Sequence, residues 1–242
     1  DTRPQRQKLM KLYIKQMPTS GQIVLAGDHT AWSRPNAVTL KERTMEHHCN
    51  GGIPANKPVT SGQGYSTIAW IPQSQGSWAM PLRHERITSW ESPISKAVWQ
   101  LGQVCKFLPS RPISLWDSEY GCASFVLKTA GINADKLMRL RSNLCLWSKP
   151  PVYSGKGRPR VHGNKFKLND PGTWIEPVQI LEINDSKLGL LRIRLWNDLH
   201  FRSAAKHPMS LILVERLKED GSIRVAKPLW LAFCGEQIPP LD

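Results

Sequence analysis

Apolar positions along the chain cluster in short runs, and their spacing predicts a series of strands interrupted by two helices. Ile23-Val24-Leu25-Ala26-Gly27 is a compact apolar run ending at Asp28, the pattern of a buried strand. Residues 33–64 are rich in Gly, Pro, Asn and charge, and are expected to form an extended loop. Thr67 to Ile71 and Ser77 to Leu82 then predict a hairpin around a Pro-Gln-Ser-Gln-Gly turn. Ser92-Pro93 carries a helix start: a capping hydroxyl, then a proline whose missing N–H costs nothing in the first turn. Ile94, Val98, Leu101, Val104, Cys105 and Leu108 follow at helical spacing and give that helix one apolar face. Ile113-Ser114-Leu115-Trp116 predicts another strand, ending at Asp117. Tyr120 to Ala130 predicts a helix and Lys136 to Leu140 a short strand. Strands mixed with helices in this order predict a mixed α/β core over residues 21–142.

From about Asn143 the pattern changes. Pro, Gly and basic residues dominate up to Lys167, after which strand signals return. Leu191, Ile193 and Leu195 alternate with Arg192 and Arg194, and Ser210 to Leu217 and Ile223 to Phe233 flank an Asp220-Gly221 turn. Residues 143–234 therefore read as a basic loop followed by a β-rich insert or subdomain. Residues 1–20 form a basic segment, expected to be a short helix or an arm, and 235–242 a tail.

Composition narrows the function classes. The 242 residues hold 33 Lys+Arg against 19 Asp+Glu, a formal net charge of +14, and 40% are hydrophobic. That is enough apolar content for a core, which argues against disorder. The positive excess points to a polyanionic partner, a merely basic protein being the plain alternative. No apolar run approaches the ~20 residues that span a bilayer, so no membrane is expected. No basic-then-apolar leader opens the chain. Five scattered cysteines without a CxxC pair fit neither a disulfide framework nor a zinc ribbon, and favour a reducing compartment. The chain opens on Asp1 and closes on Pro-Pro-Leu-Asp, and is expected to be a fragment.

Asp28 and Asp117 each end an apolar strand expected to be central. Two carboxylates converging in one cleft repel unless cations sit between them. Hard divalent ions, Mg²⁺ or Mn²⁺, suit such oxygen ligands, and an ion pair ~3.5–4 Å apart can serve phosphodiester displacement. The plainer alternative is an Asx-turn at Asp28 and a helix cap after Asp117. Glu119 reads as a solvent-facing residue on a first helical turn and His29 as a structural histidine. His47-His48-Cys49 has no second half at metal-ligand spacing and reads as a surface loop.

Between Arg139 and Lys167 stand eight basic residues and no acid: Arg139, Arg141, Lys149, Lys156, Arg158, Arg160, Lys165 and Lys167. Gly155-Lys156-Gly157-Arg158-Pro159-Arg160 is similar to the core of an AT-hook, whose arginines enter a narrow minor groove. DNA contact mainly through phosphates is the expectation, with a solvated loop as the alternative. Trp147, Trp174 and Trp196 are expected in the core rather than as stacking platforms for bases.

Four stretches resemble the DDE-superfamily transposases of bacterial insertion sequences: Val24-Leu25-Ala26-Gly27-Asp28-His29-Thr30, Gly64-Tyr65-Ser66-Thr67, Leu115-Trp116-Asp117-Ser118-Glu119-Tyr120-Gly121 and Ala226-Lys227-Pro228-Leu229-Trp230-Leu231. The likeness runs from about residue 20 to 240. It implies an RNase H-like core with a β-rich insert before the last catalytic helix, and Asp28 and Asp117 as the first two catalytic and metal-binding acids. It also implies Mg²⁺ or Mn²⁺ as cofactor and double-stranded DNA, element ends and target, as partner. A homodimer in the DNA complex and a cytoplasmic, nucleoid-associated location in a bacterium are further implications. The third acid of that pattern, on a helix with Tyr, Arg and Lys, has no match: Glu236 and Asp242 are the only acids after Phe233, and the chain is expected to be truncated before that helix. The resemblance therefore leaves open an active transposase domain, an inactive DNA-binding remnant, or an RNase H-like nuclease acting on RNA hybrids or junctions.

Overall fold

Helix α1 (Arg3–Lys15) opens the computed structural model, which describes residues 3–18, 21–47, 59–72, 78–224 and 228–236. The chain divides into two compact units, the first holding residues 1–115 and 131–134 and the second 116–130 and 135–242.

In the first unit, β1 (Val24–Ser33), β2 (Thr44–His47), β3 (Val59–Ile71) and β4 (Met80–Ile87) build an antiparallel sheet around β3. Strict alternation along β3 explains its place: Gly62, Gly64, Ser66 and Ile68 are buried, whereas Gln63, Tyr65 and Thr67 are half exposed. Helix α2 (Pro93–Cys105) packs on the buried side. A capping box starts it, with Ser95 N–H donating to Ser92 Oγ (3.1 Å) and Ser92 N–H to Ser95 Oγ (2.8 Å). Gln100, fully buried, locks the helix to the strand: its amide donates to Ser66 O (3.0 Å) and its Oε1 accepts from Ser66 Oγ (2.6 Å). Strand β5 (Ile113–Trp116) lies beside β1, with Ile113 N–H donating to Ile23 O (2.9 Å).

On the same buried side, charges gather. Arg83 Nε donates to Glu85 Oε1 at 2.8 Å, and Lys96 Nζ stands 3.2 Å from Glu85 Oε2, all three side chains 6–7% exposed. Arg6 of α1 reaches Glu85 (3.9 Å), and Arg83 and Lys96 both lie over the Trp99 ring, at 4.6 and 5.2 Å. One carboxylate thus holds cations from α1, β4 and α2.

The second unit carries α3 (Ala123–Thr129) and an antiparallel sheet in the order β6 (Asp135–Leu140), β12 (Leu229–Cys234), β11 (Met209–Arg216), β10 (Gly189–Leu199), β9 (Gln179–Asp185). A separate hairpin pairs β7 (Cys145–Trp147) with β8 (Lys165–Lys167). One sheet face has Ile193, Ile212 and Phe233 buried at its centre, with leucine, isoleucine and valine side chains packed around them. The opposite face carries Trp196 and Trp230, which pack with Phe166 and Trp174 at centroid spacings of 5.2–6.3 Å. Trp196 is therefore core, as expected, whereas Trp174 packs against it half-buried. The four described cysteines are free, and burial pushes the Cys234 thiol up to about 11.

The fold is mixed α/β, in keeping with an RNase H-like core. Three expectations are corrected. Residues 33–64 are not one loop, since β2 lies within them and β3 begins at Val59. Asp28 does not end its strand, because β1 runs on to Ser33 through ten ladder positions against β3. The helix after Asp117 is shorter than Tyr120 to Ala130. The hairpin turn at 73–77, His48, Cys49, residues 225–227 and Asp242 lie outside the described residues.

Glu85→Ala leaves Arg83 and Lys96 buried without their shared carboxylate. Urea unfolding of this variant is expected to show a loss of about 3–5 kcal/mol.

Candidate active site

Asp28 stands fifth in β1, directly opposite Thr67 of β3, and its side chain is exposed on the sheet face away from α2. Alternation dictates this: Leu25 and Gly27 point inward, so Asp28, Thr30 and Trp32 point outward. Beyond Thr67 in the sheet stands His84 of β4, whose Nδ1 lies 2.8 Å from Thr67 Oγ1. The next outward pair is Thr30 with Tyr65, and the Tyr65 ring stacks on His84 at 5.2 Å and 1°.

His29 points to the other side. Its Nε2 lies 3.2 Å from Glu46 Oε2, and Glu46, 4% exposed, also accepts from Thr44 Oγ1. Gly64 makes room for this pair: a Cβ there would sit 2.7 Å from Glu46 Oε1 and 2.8 Å from His29 Nε2. His29 is thus built into the structure, as the sequence reading holds.

Asp117 follows β5 directly, in the turn before α3, and is exposed. Its Oδ1 accepts from Glu119 N–H (3.0 Å) and its carbonyl from Tyr120 N–H (3.2 Å), an Asx-turn. Trp116, Tyr120 and Phe125 fix this turn from beneath, with centroids 4.7–5.3 Å apart. Gly121 is required where the turn meets β6: a Cβ would lie 2.3 Å from Arg139 O. Glu119 is half-buried rather than solvent-facing.

Asp28 belongs to the first unit and Asp117 to the second. Both offer exposed, hard oxygen donors, and the Asx-turn bond occupies only one lone-pair position of Asp117, so the donor chemistry fits a divalent ion such as Mg²⁺. Among the described residues, no three His, Cys, Asp or Glu side chains cluster at metal-ligand spacing. Glu236 follows β12 at the edge of the described chain.

The basic tract is spread over several elements. Arg139 stands exposed on β6 and Arg141 just after it. Lys156, Arg158 and Arg160 occupy an entirely exposed loop, where Gly155 and Gly157 take left-handed φ of +81° and +77°. Tyr153 O–H donates to Gly157 O (2.7 Å) across it. Lys165 lies over the Trp147 ring (5.5 Å), and Lys167 pairs with Asp170 (3.4 Å). Trp147 is half-buried against His162, at a centroid spacing of 5.1 Å.

A family model described as DDE superfamily endonuclease matches residues 1–189, and the chain belongs to that family. Its activity class is accordingly that of a DNA transposase or nuclease, such nucleases generally using divalent metals. No curated protein matches the chain significantly. No described helix is long and apolar enough to cross a membrane.

The sequence reading missed His162 and His200, whose Nδ1 and Nε2 lie 2.9 Å apart. They are 38 residues apart in the chain, and no local pattern pairs them. Burial, reinforced by His162, holds the His200 imidazole below its ordinary value, against an opposing backbone bond at Asp198. The folded chain therefore favours neutral His200, and the unfolded chain takes the proton first. This contribution to stability is complete above about pH 6.5 and is lost as pH falls through the lowered folded value. Melting temperature is expected to drop between pH 7.5 and 5.5, and His200→Gln is expected to flatten that part of the curve.

Proposed function

We propose that this chain is the catalytic portion of an insertion-sequence transposase, cutting DNA at the element's ends and joining the freed 3′-OH to a target. The observation that carries this reading is the family match over residues 1–189, a span that includes both Asp28 and Asp117. Asp28 and Asp117 would hold Mg²⁺ or Mn²⁺, which when bound supplies charge stabilisation at the phosphodiester and lowers the pKa of a bound water. The chain's own residues supply the rest. The β1–β3 ladder fixes Asp28 at one height on the sheet, and the Asx-turn orients the Asp117 carboxylate. Arg139, Arg141, Lys156, Arg158, Arg160, Lys165 and Lys167 attract the phosphate backbone and fix its position rather than its sequence. Residues 143–234 act as a DNA-binding insert. Assembly as a homodimer on paired ends, in a bacterial cytoplasm at the nucleoid, completes the reading.

A second reading is a DNA-binding remnant without cutting activity. It is supported by the fully exposed basic loop carrying Lys156, Arg158 and Arg160, which can hold phosphates without any metal.

Incubating the chain with labelled duplex DNA and Mg²⁺ or Mn²⁺ tests the first reading. Strand cutting is expected, falling by roughly two orders of magnitude or more in Asp28→Asn and in Asp117→Asn. Unchanged cutting in both variants refutes the assignment, and binding without any cutting favours the second reading.

Replacing Lys156, Arg158 and Arg160 together by Ala is expected to weaken duplex binding across all sequences. The slope of log affinity against log salt should shrink by about 2 to 3. Filter binding between low and moderate salt measures it.

A further inference from the structure

The outward face of the first unit's sheet carries an ordered row of rings and cations that none of the roles above employs. Arg34 lies over the Trp32 ring at 4.3 Å, Trp32 neighbours Tyr65 at 6.5 Å and 51°, and Tyr65 stacks flat on His84 at 5.2 Å. Trp32 is 54% exposed, and His84 is exposed as well. Exposed aromatic side chains usually find a hydrophobic neighbour, so a row standing outward on a sheet calls for an explanation. Both helices of this unit make their contacts through the opposite side, α2 through Gln100 and Ser66, and α1 through Arg6 and Glu85.

Register sets the row relative to the acid. Asp28 pairs with Thr67, Thr30 with Tyr65 and Trp32 with Gln63. At ~3.3 Å per residue, Tyr65 stands about 7 Å and Trp32 about 13 Å along the strand from Asp28. The spacing between successive platforms is thus about two residues, on one face, starting at a carboxylate that the proposed function places at the cut.

We propose that Trp32, Tyr65 and His84, flanked by Arg34 and Arg86, form a stacking platform for unpaired DNA bases next to the strand held at Asp28. Base–aromatic stacking tolerates any sequence because every base presents a π-face. The neighbouring guanidinium groups and the chain's net charge of +14 complement the phosphates of that strand. Arg86 is tethered by Glu42, so Arg34 is the principal cation of the row. The occupant is single-stranded DNA rather than duplex, since paired bases hide the faces that Trp32 and Tyr65 would cover. The location beside a cut site rests on the transposase reading; the platform itself rests on the geometry of the row.

The test is binding of a fluorescein-labelled oligothymidylate to the full chain without added metal, read by anisotropy. Trp32→Ala and Tyr65→Ala are each expected to weaken binding by roughly tenfold or more. Trp32→Phe is expected to restore most of it. Thermal melts report folding, and Trp32, being exposed, should leave them unaltered. Wild-type binding in both alanine variants overturns the proposal. A loss in Trp32→Phe as large as in Trp32→Ala also overturns it, because a ring of any kind should serve. Equal losses for duplex and single strand overturn it in favour of a purely electrostatic clamp. Because no cutting is involved, failure here leaves the transposase reading standing, and failure of cutting leaves the platform standing.

Discussion

The antiparallel ladder between β1 and β3 is the constraint on which the first unit depends. Ten consecutive ladder positions leave no freedom of register, and a slip by one residue would turn Asp28 inward and Gly27 outward. Two glycines on the inward face of β3 guard that register. A Cβ on Gly62 would lie 2.3 Å from Trp32 O, and one on Gly64 would collide with the His29–Glu46 pair. The strands can therefore approach closely only in the observed alignment, and the alignment decides which face meets the helices and which meets solvent.

The inward face is held by polar specificity as much as by apolar burial. Gln100 satisfies both its amide groups on Ser66, and Glu85 gathers Arg83, Lys96 and Arg6. Such arrangements cost desolvation and return little net stability, but they discriminate strongly against wrong packings, because any other arrangement strands a charge. The second unit takes the other route. Its sheet is filled by Phe233 among aliphatic side chains on one face and by Trp196, Trp230, Phe166 and Trp174 on the other.

Where residues advertise their structure locally, the sequence is readable. Ser92-Pro93 starts a helix with the expected cap, Ile113–Trp116 forms a strand ending at Asp117, and Leu191, Ile193 and Leu195 alternate in β10 as anticipated. Reading fails where the stabilising partner is remote. The far half of β1, from Asp28 to Ser33, lies beyond the apolar run that predicts the strand, yet the β3 ladder makes it strand. β2 is short and charged and owes its pairing to residues 59–62. β9 is mostly exposed, and its alternation of Leu181 and Ile183 with Glu182 and Asn184 is too short to stand out. Of the candidate site, the residue types and the turn at Asp117 are legible in the chain. The ring row from Trp32 to His84 is not, because its members come from three strands and meet only through register.

The position of β12 has a consequence for biosynthesis. It lies between β6 and β11, pairing with residues 136–140 on one side and 210–214 on the other. Until residues 229–234 have emerged from the ribosome, β6 and β11 each present a bare edge, and the strand that joins them begins only at Leu229, well after β6 ends at Leu140. Closing that loop is slow in entropy terms, and bare edges invite pairing with other nascent chains. The second unit thus stays open to such mispairing until its last described strand has been made.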